Sequence, residues 1–333
     1  MNSFRLINIL AGLKLMSSFF STARLLNFHP LVLNKFLTLL VGSFKNSCVM
    51  PSLRYWLIGS LFLASGVGHA RLVPPVEPLT TQQLKARLNA AIESLKTLRC
   101  VIAGDERIGT KHVLGTTAVK LTSSPLRVYL KTQKAIEVLY VAGQNDGDAW
   151  VNPAAFPYFT LSLNPNGSLM RKGQHYTVLQ VGYDTIGKLL AMDSHSDATY
   201  THTFRYAGDS VLQGQPCYVM RSDYPQFRYV AYRVGRGETI TSIADRFGCG
   251  EYRILERNNL AVDATLKEGQ VLQVPNAYGS RVILVINAKT YLPTSVTVYD
   301  ERGIFEKYTF LNVVANQPIP ATEFARNFPG YNL

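Results

Sequence analysis

The sequence is poor in cysteine: four among 333 residues (Cys48, Cys100, Cys217, Cys249), and no pair has the spacing of a zinc site. It lacks a G-x-S-x-G turn, an H-E-x-x-H pair, a phosphate-binding glycine loop and any paired-carboxylate pattern. The common signatures of hydrolases, metalloproteases and nucleotide enzymes are therefore missing. No acidic residue occurs in the first 70 positions, where six basic ones stand (Arg5, Lys14, Arg24, Lys35, Lys45, Arg54). The formal net charge of +12 is accordingly lopsided, since residues 71–333 hold 28 basic against 22 acidic residues, a net of +6. There is no basic run, RNP motif or helix-turn-helix signal to direct that excess toward nucleic acid. The reading assigns no catalytic residue, no cofactor and no metal. Asp193, His195 and His202 could be imagined as ligands, but histidines at a helix–strand turn are ordinarily solvated.

What is present suits a globular protein: 47% hydrophobic, 11% aromatic and 17% charged residues. The length exceeds one compact core and predicts about two domains. Residues 50–70 read as a secretory signal peptide: basic Met50–Arg54, an apolar run Tyr55–Ala64, then small residues ending at Ala70. The apolar run is shorter than the roughly 20 residues a membrane span needs, so no stable transmembrane anchor is expected after processing. Residues 1–49 show no coherent periodicity, and Met50 stands where a signal peptide would begin. The expectation is an over-extended N-terminus over 1–49 and a mature chain from Arg71, exported to the periplasm or cell envelope. In that oxidising setting a Cys100–Cys217 bridge and buried free thiols are both compatible with the flanking apolar runs.

Thr80-Thr81-Gln82-Gln83 is a capping box, and Leu84, Leu88, Ala91, Ile92, Leu95 and Leu98 follow at helical spacing. A helix is predicted over 81–98 and a second over Tyr176–Met192. Strand patterns occupy His112–Leu121, Leu126–Thr132, Ala135–Ala142, Ala149–Val151, Thr199–Tyr206, Pro216–Met220, Arg281–Ile286, Ser295–Tyr299 and Ile304–Asn312, with turns at Asn145-Asp146-Gly147 and Asn164–Gly167. This order indicates α+β architecture, one curved antiparallel sheet wrapping helices. Asp105-Glu106-Arg107 reads as a charged strand entry and His175 as part of a surface turn.

Residues 232–275 predict a compact βααβ unit: a strand at Tyr232–Val234, a helix capped by Thr239 and carrying Ile240, Ile243, Ala244 and Phe247, a second with Tyr252, Ile254 and Leu255, and a strand at Val271–Val274. Tyr232-x-Val234, Gly237-Glu238-Thr239-Ile240, Ser242-Ile243-Ala244, Phe247, Asn258, Gly269-Gln270 and Val274-Pro275 resemble the LysM domain over its whole length; Glu238 replaces a commoner Asp. The resemblance implies binding of N-acetylglucosamine-containing glycan, here peptidoglycan, in a shallow groove. Its walls would be Gly237, Glu238, Thr239 and Ile240 on one side and Asn259, Leu260, Ala261 and Val262 on the other.

The flanks carry Ile136–Val141 with Gly143, Met170-Arg171-Lys172 with His175, and a tail of Leu292-Pro293, Val298–Glu301, Gly303, Phe305-Glu306 and Tyr308. They resemble an exported bacterial domain-of-unknown-function family related to the LolA/LolB-like lipoprotein carriers. That resemblance implies an antiparallel half-barrel covered by helices, a discontinuous body over 71–231 and 276–333 with the LysM unit inserted, and room for a lipid, lipoprotein or protein partner. The competing reading is a cell-wall-acting hydrolase with an unrecognised site. An apolar pocket favours the first, and a polar cleft with an Asp or Glu beside His175 favours the second.

Overall fold

The computed structural model describes residues 79–192 and 204–333. The expected signal peptide, the segment 1–49, Asp193, His195 and His202 lie outside the described residues, as does the Thr199–Thr203 part of one predicted strand. The described residues belong to one compact unit.

The first helix, α1 (Thr81–Glu93), starts as its capping box requires: the Thr80 hydroxyl accepts from the Gln83 N–H and the Gln83 side chain accepts from the Thr80 N–H. It ends five residues before the predicted point, capped by Ser94. Leu98 instead reaches the core from strand β1 (Thr97–Ile108). Then follow β2 (Lys111–Ser123), β3 (Leu126–Thr132), β4 (Glu137–Val141), β5 (Ala149–Asn152) and the short β6 (Leu161–Leu163), which the sequence reading missed. The Asn145–Gly147 turn joins β4 to β5 with φ of 53°, 52° and 87°, values that Asn, Asp and Gly tolerate best.

After helix α2 (Ser168–Arg171) the predicted helix over 176–192 is split. Val178–Gln180 is a 3₁₀ turn, Gly182 sits at φ 98°, and only α3 (Asp184–Met192) is α-helical. The apolar spacing was real, but a left-handed glycine cannot continue a right-handed helix. Strands β7 (Arg205–Leu212) and β8 (Gln215–Asp223) precede the βααβ unit, and β11 (Arg281–Asn287), β12 (Pro293–Asp300) and β13 (Gly303–Ala315) follow it.

One antiparallel sheet of eleven strands runs β6-β5-β4-β3-β2-β1-β13-β12-β11-β8-β7. A single hydrophobic cluster joins α1 and α3 (Leu84, Leu88, Ile186, Leu190) to strands near both ends, through Val151 on β5 and Met220 on β8. The sheet therefore wraps the helices, giving the expected α+β architecture. On β11 the alternation is clean, with Val282, Leu284 and Ile286 fully buried. The C-terminal tail packs on the other face, where Phe324 joins Tyr129, Leu139 and Val141 and the Tyr331 ring stacks on Tyr129 at 3.8 Å.

Cys100, Cys217 and Cys249 are free and buried, which corrects the Cys100–Cys217 bridge left open above. Cys100 lies on β1 and Cys217 on β8, and β13, β12 and β11 stand between them. Burial pushes the Cys100 and Cys249 thiols up to about 12, and a thiolate is the reactive species. A chain from Arg71, which lacks Cys48, is thus expected to leave its three thiols unreacted with an aromatic disulfide reagent when native and to titrate three in denaturant. Rapid native labelling, or fewer than three thiols after unfolding without reductant, would contradict this.

The βααβ unit pairs β9 (Tyr229–Arg233) with β10 (Val271–Pro275) and carries α4 (Ile240–Phe247) and α5 (Glu251–Arg257) between them. Its own core gathers Val234, Ile240, Ile243, Ala244, Ile254, Leu255, Leu272 and Val274. Tyr229 pairs with Pro275, and Asn276 ties the entry and exit strands by hydrogen bonds with the Arg228 N–H and carbonyl. The chain therefore leaves and rejoins the sheet at one place.

Candidate functional site

The large sheet encloses a cavity of about 580 Å³. Most of its wall is apolar and comes from the core faces of the strands and of α3, including Val119, Leu130, Val138, Val151, Ile186 and Phe310. Pro153 and Leu161 line it, and in the loop that joins them, between β5 and β6, Phe156, Tyr158 and Phe159 stand exposed. One stretch of the wall is polar: Glu106, Tyr176, Tyr278, Glu306 and Tyr308.

Strand register builds that polar stretch. Glu106 and Glu306 are direct partners across β1 and β13, so both carboxylates fall on one face. Gly104 opposite Tyr308 leaves room for the ring, which a Cβ there would meet at 3.4 Å. Glu306 is 1% exposed and accepts from Tyr176 (2.7 Å), Tyr278 (2.6 Å) and the His175 Nδ1 (2.7 Å). Glu106 accepts from the Tyr308 hydroxyl and from the His175 backbone N–H at 3.1 Å.

His175 is buried rather than part of a surface turn, which corrects the reading above. Its Nε2 meets the Arg107 carbonyl at 3.1 Å, and its ring stacks on Phe305 at 4.2 Å and on Tyr252 at 4.5 Å. Asp105-Glu106-Arg107 is likewise more than a charged strand entry. Only Asp105 stays at the surface, paired with His112 at 2.7 Å, while Arg107 is buried and forks onto Asp300.

Burial alone would raise the Glu306 carboxyl, but the His175 hydrogen bond and charge and the two tyrosine hydroxyls carry it below its ordinary value. Asp300 is also lowered: desolvation opposes, and Arg107, the Arg302 N–H and Arg253 outweigh it. Hydrogen bonds from Arg99 and Lys120 hold Glu323 at about 2. A carboxylate whose folded value lies below its unfolded one contributes stability above the unfolded value and loses it as pH falls through the folded one. The melting temperature should therefore drop as pH goes from about 4.5 toward about 2, the window between unfolded and folded carboxylates. A melting temperature constant to pH 3 would contradict these assignments.

The βααβ unit is fixed to the sheet through α5. The Arg253 guanidinium is fully buried, lies 3.5 Å over the Phe305 ring and stands 3.5 Å from Asp300. The Tyr252 hydroxyl accepts from the Gly109 N–H (3.1 Å), Glu256 pairs with Arg302 (3.0 Å) and Glu251 with Arg171 (2.6 Å).

Within the unit, the residues placed in the groove have distinct roles. Glu238 turns back on its own loop: its carboxylate accepts from the Gly235 N–H (2.7 Å) and the Tyr232 hydroxyl (2.8 Å) and pairs with Arg246 (2.8 Å). The Gly235 bond first, then Tyr232 and Arg246, lower its pKa. The Thr239 hydroxyl caps α4 by accepting from the Ser242 N–H, and Ile240 is a core residue. Gly237, at φ 72°, lets the loop turn. On the other side Asn259 takes φ 50°, and Leu260 and Val262 are half-buried against the unit's core. Asn259, Leu260, Ala261 and Val262 line a second cavity of about 310 Å³, whose facing wall is Arg171–Gln174 of the body. Asn258 joins the end of α5 to β10 through two bonds with Gln273.

Residues 232–275 match the LysM domain, and residues 96–233 match a family described as protein of unknown function, DUF1571. A stretch of 60 residues is 35% identical to the chitin elicitor-binding protein of Oryza sativa subsp. japonica, covering 18% of this chain and only 17% of that protein. A solved structure of the MucA/MucB complex of Pseudomonas aeruginosa aligns at 14% identity over 74% of this chain and 60% of its own, with a TM-score of 0.37. LprF from Mycobacterium bovis aligns at 12% identity over 73% and 98%, TM-score 0.36. The LolA superfamily protein NE2245 from Nitrosomonas europaea aligns at 9% over 75% and 100%, TM-score 0.28. Among the described residues no helix is long and apolar enough to cross a membrane. The chain thus carries a LysM domain at 232–275, preceded by a region over 96–233 that matches the DUF1571 family.

Proposed function

We propose that this is a non-catalytic protein of the bacterial cell envelope that binds N-acetylglucosamine-containing glycan of peptidoglycan through its LysM domain and holds an apolar ligand in its body. The LysM match over 44 residues carries the reading. The glycan site is Gly237, Glu238, Thr239 and Ile240 together with Asn259, Leu260, Ala261 and Val262, the first four acting through backbone groups because their side chains are absent or engaged within the unit. The name of the Oryza sativa relative, chitin elicitor-binding protein, supports the same sugar chemistry. The body is discontinuous, 71–231 and 276–333, with the LysM domain inserted between β8 and β11. Its largely apolar cavity has the size range of a small-ligand pocket, and the exposed aromatic side chains of the loop between β5 and β6 suit exchange with lipid or a lipoprotein chain.

The hydrolase reading has one observation on its side, Glu306 beside His175. Both His175 ring nitrogens already face protein acceptors and both ring faces are covered by Tyr252 and Phe305. A general acid or base needs an open path to the proton it moves, so the pair reads as a structural cluster. Native mass spectrometry of protein purified from the periplasm tests the body: a co-purified lipid mass lost on partial denaturation is expected. Recovery of the protein without ligand, together with turnover of peptidoglycan, would favour the hydrolase instead.

A further inference from the structure

The 259–262 loop of the LysM domain does not open onto bulk solvent alone. With Tyr252, Leu255 and Glu256 it forms one side of the 310 Å³ cleft, and Arg171, Lys172, Gly173 and Gln174 form the other. The seam is braced: Glu251 holds Arg171 at 2.6 Å, and Tyr252 stacks on His175. The groups left over inside this frame are complementary to a particular ligand. Leu260, Ala261 and Val262 supply small apolar surface. Glu256, on the same wall, is engaged with Arg302 at 3.0 Å. Lys172 is exposed and has no ion pair among the described residues, whereas its neighbour Arg171 is neutralised by Glu251.

We infer that the glycan site is composite: the cleft between LysM residues 259–262 and body residues 171–174 takes an N-acetylated sugar substituted with a short acidic peptide, with Lys172 meeting a carboxylate of that peptide. This rests on the glycan-binding reading above and adds a residue from outside the LysM domain as a selectivity element. An acetamide methyl would pack on Ala261 and its neighbours. A neutral chitin fragment would use only the LysM side, and an acidic muropeptide would use both.

The test is a calorimetric titration of the chain from Arg71 with two probes, chitotetraose and an uncrosslinked disaccharide–tetrapeptide. Three proteins are compared: wild type, Lys172→Glu and Ala261→Trp, each shown folded by circular dichroism. Lys172→Glu should weaken the muropeptide by about fivefold, as expected for exchanging attraction for repulsion at an exposed rim, and leave chitotetraose within twofold. Ala261→Trp fills the cleft and should weaken both probes at least fivefold. Muropeptide binding unchanged in Lys172→Glu, or both probes unchanged in Ala261→Trp, overturns the composite site while leaving LysM binding intact. Wild type that binds neither probe overturns the glycan reading itself.

Discussion

Glu306→Ala should cost the protein about 3–5 kcal/mol of stability, the scale for breaking a buried hydrogen-bonded charge cluster by removing one member. Glu306 lies near the start of β13 and is the shared acceptor for Tyr176, Tyr278 and His175. Its removal leaves two buried hydroxyls and an imidazole Nδ1 without their acceptor, next to an apolar cavity. Glu306→Gln keeps the shape and part of the hydrogen bonding and should lose less. Urea unfolding followed by fluorescence measures this, with the slope unchanged between variants. A loss below about 1 kcal/mol for the alanine variant would mean the cluster contributes little.

Asp300→Ala is the second large effect, again about 3–5 kcal/mol. Asp300 is 6% exposed and serves two buried guanidinium groups, Arg107 of the sheet and Arg253 of the LysM domain. Without it both cations lie buried beside Phe305 with no carboxylate between them. The variant should also loosen the seam, so that one thermal transition in the wild type becomes two. Arg253→Met should cost far less, because Asp300 keeps Arg107 and because the Arg253 nitrogens make no hydrogen bonds. Equal losses in the two variants would contradict this division of roles. The same contacts bear on excision of the LysM domain. The adjacent ends of β9 and β10 make a short linker geometrically feasible, yet excision uncovers Phe305, His175 and the Arg107–Asp300 pair. The excised body should therefore fold less stably than the intact chain.

What the sequence disclosed was local. The Thr80–Gln83 and Thr239–Ser242 caps, the alternation of β11 and the LysM motif residues all depend on neighbours a few positions away. The Val178–Leu189 spacing misled because periodicity does not register the left-handed conformation of Gly182. The polar cluster was not legible for a different reason. His175 meets Glu306 across 131 positions, and Arg107 meets Asp300 across 193. Taken singly, a His near basic residues or an Asp-Glu-Arg run looks like surface. A usable signal was nevertheless present, in that Glu106 and Glu306 each stand in otherwise β-rich runs where a charge must be paired if buried. The LysM–body seam had no sequence signal, since the loop between an α5-type helix and its strand looks the same with or without a neighbour.

The central claim, that the LysM domain holds this chain on peptidoglycan, is tested most directly by sedimentation with purified sacculi at moderate and high salt. The proteins are wild type, Glu238→Lys, which replaces the brace of the 235–238 loop by a like charge facing Arg246, and Thr239→Pro, which removes the α4 cap and a backbone donor. Salt separates recognition from the pull on anionic wall polymer of residues 71–333, whose net charge is +6, a pull that is screened. The account predicts that wild type pellets in high salt and that both variants, folded by circular dichroism, stay in solution. Equal pelleting of all three proteins, or loss of all three in salt, would contradict it.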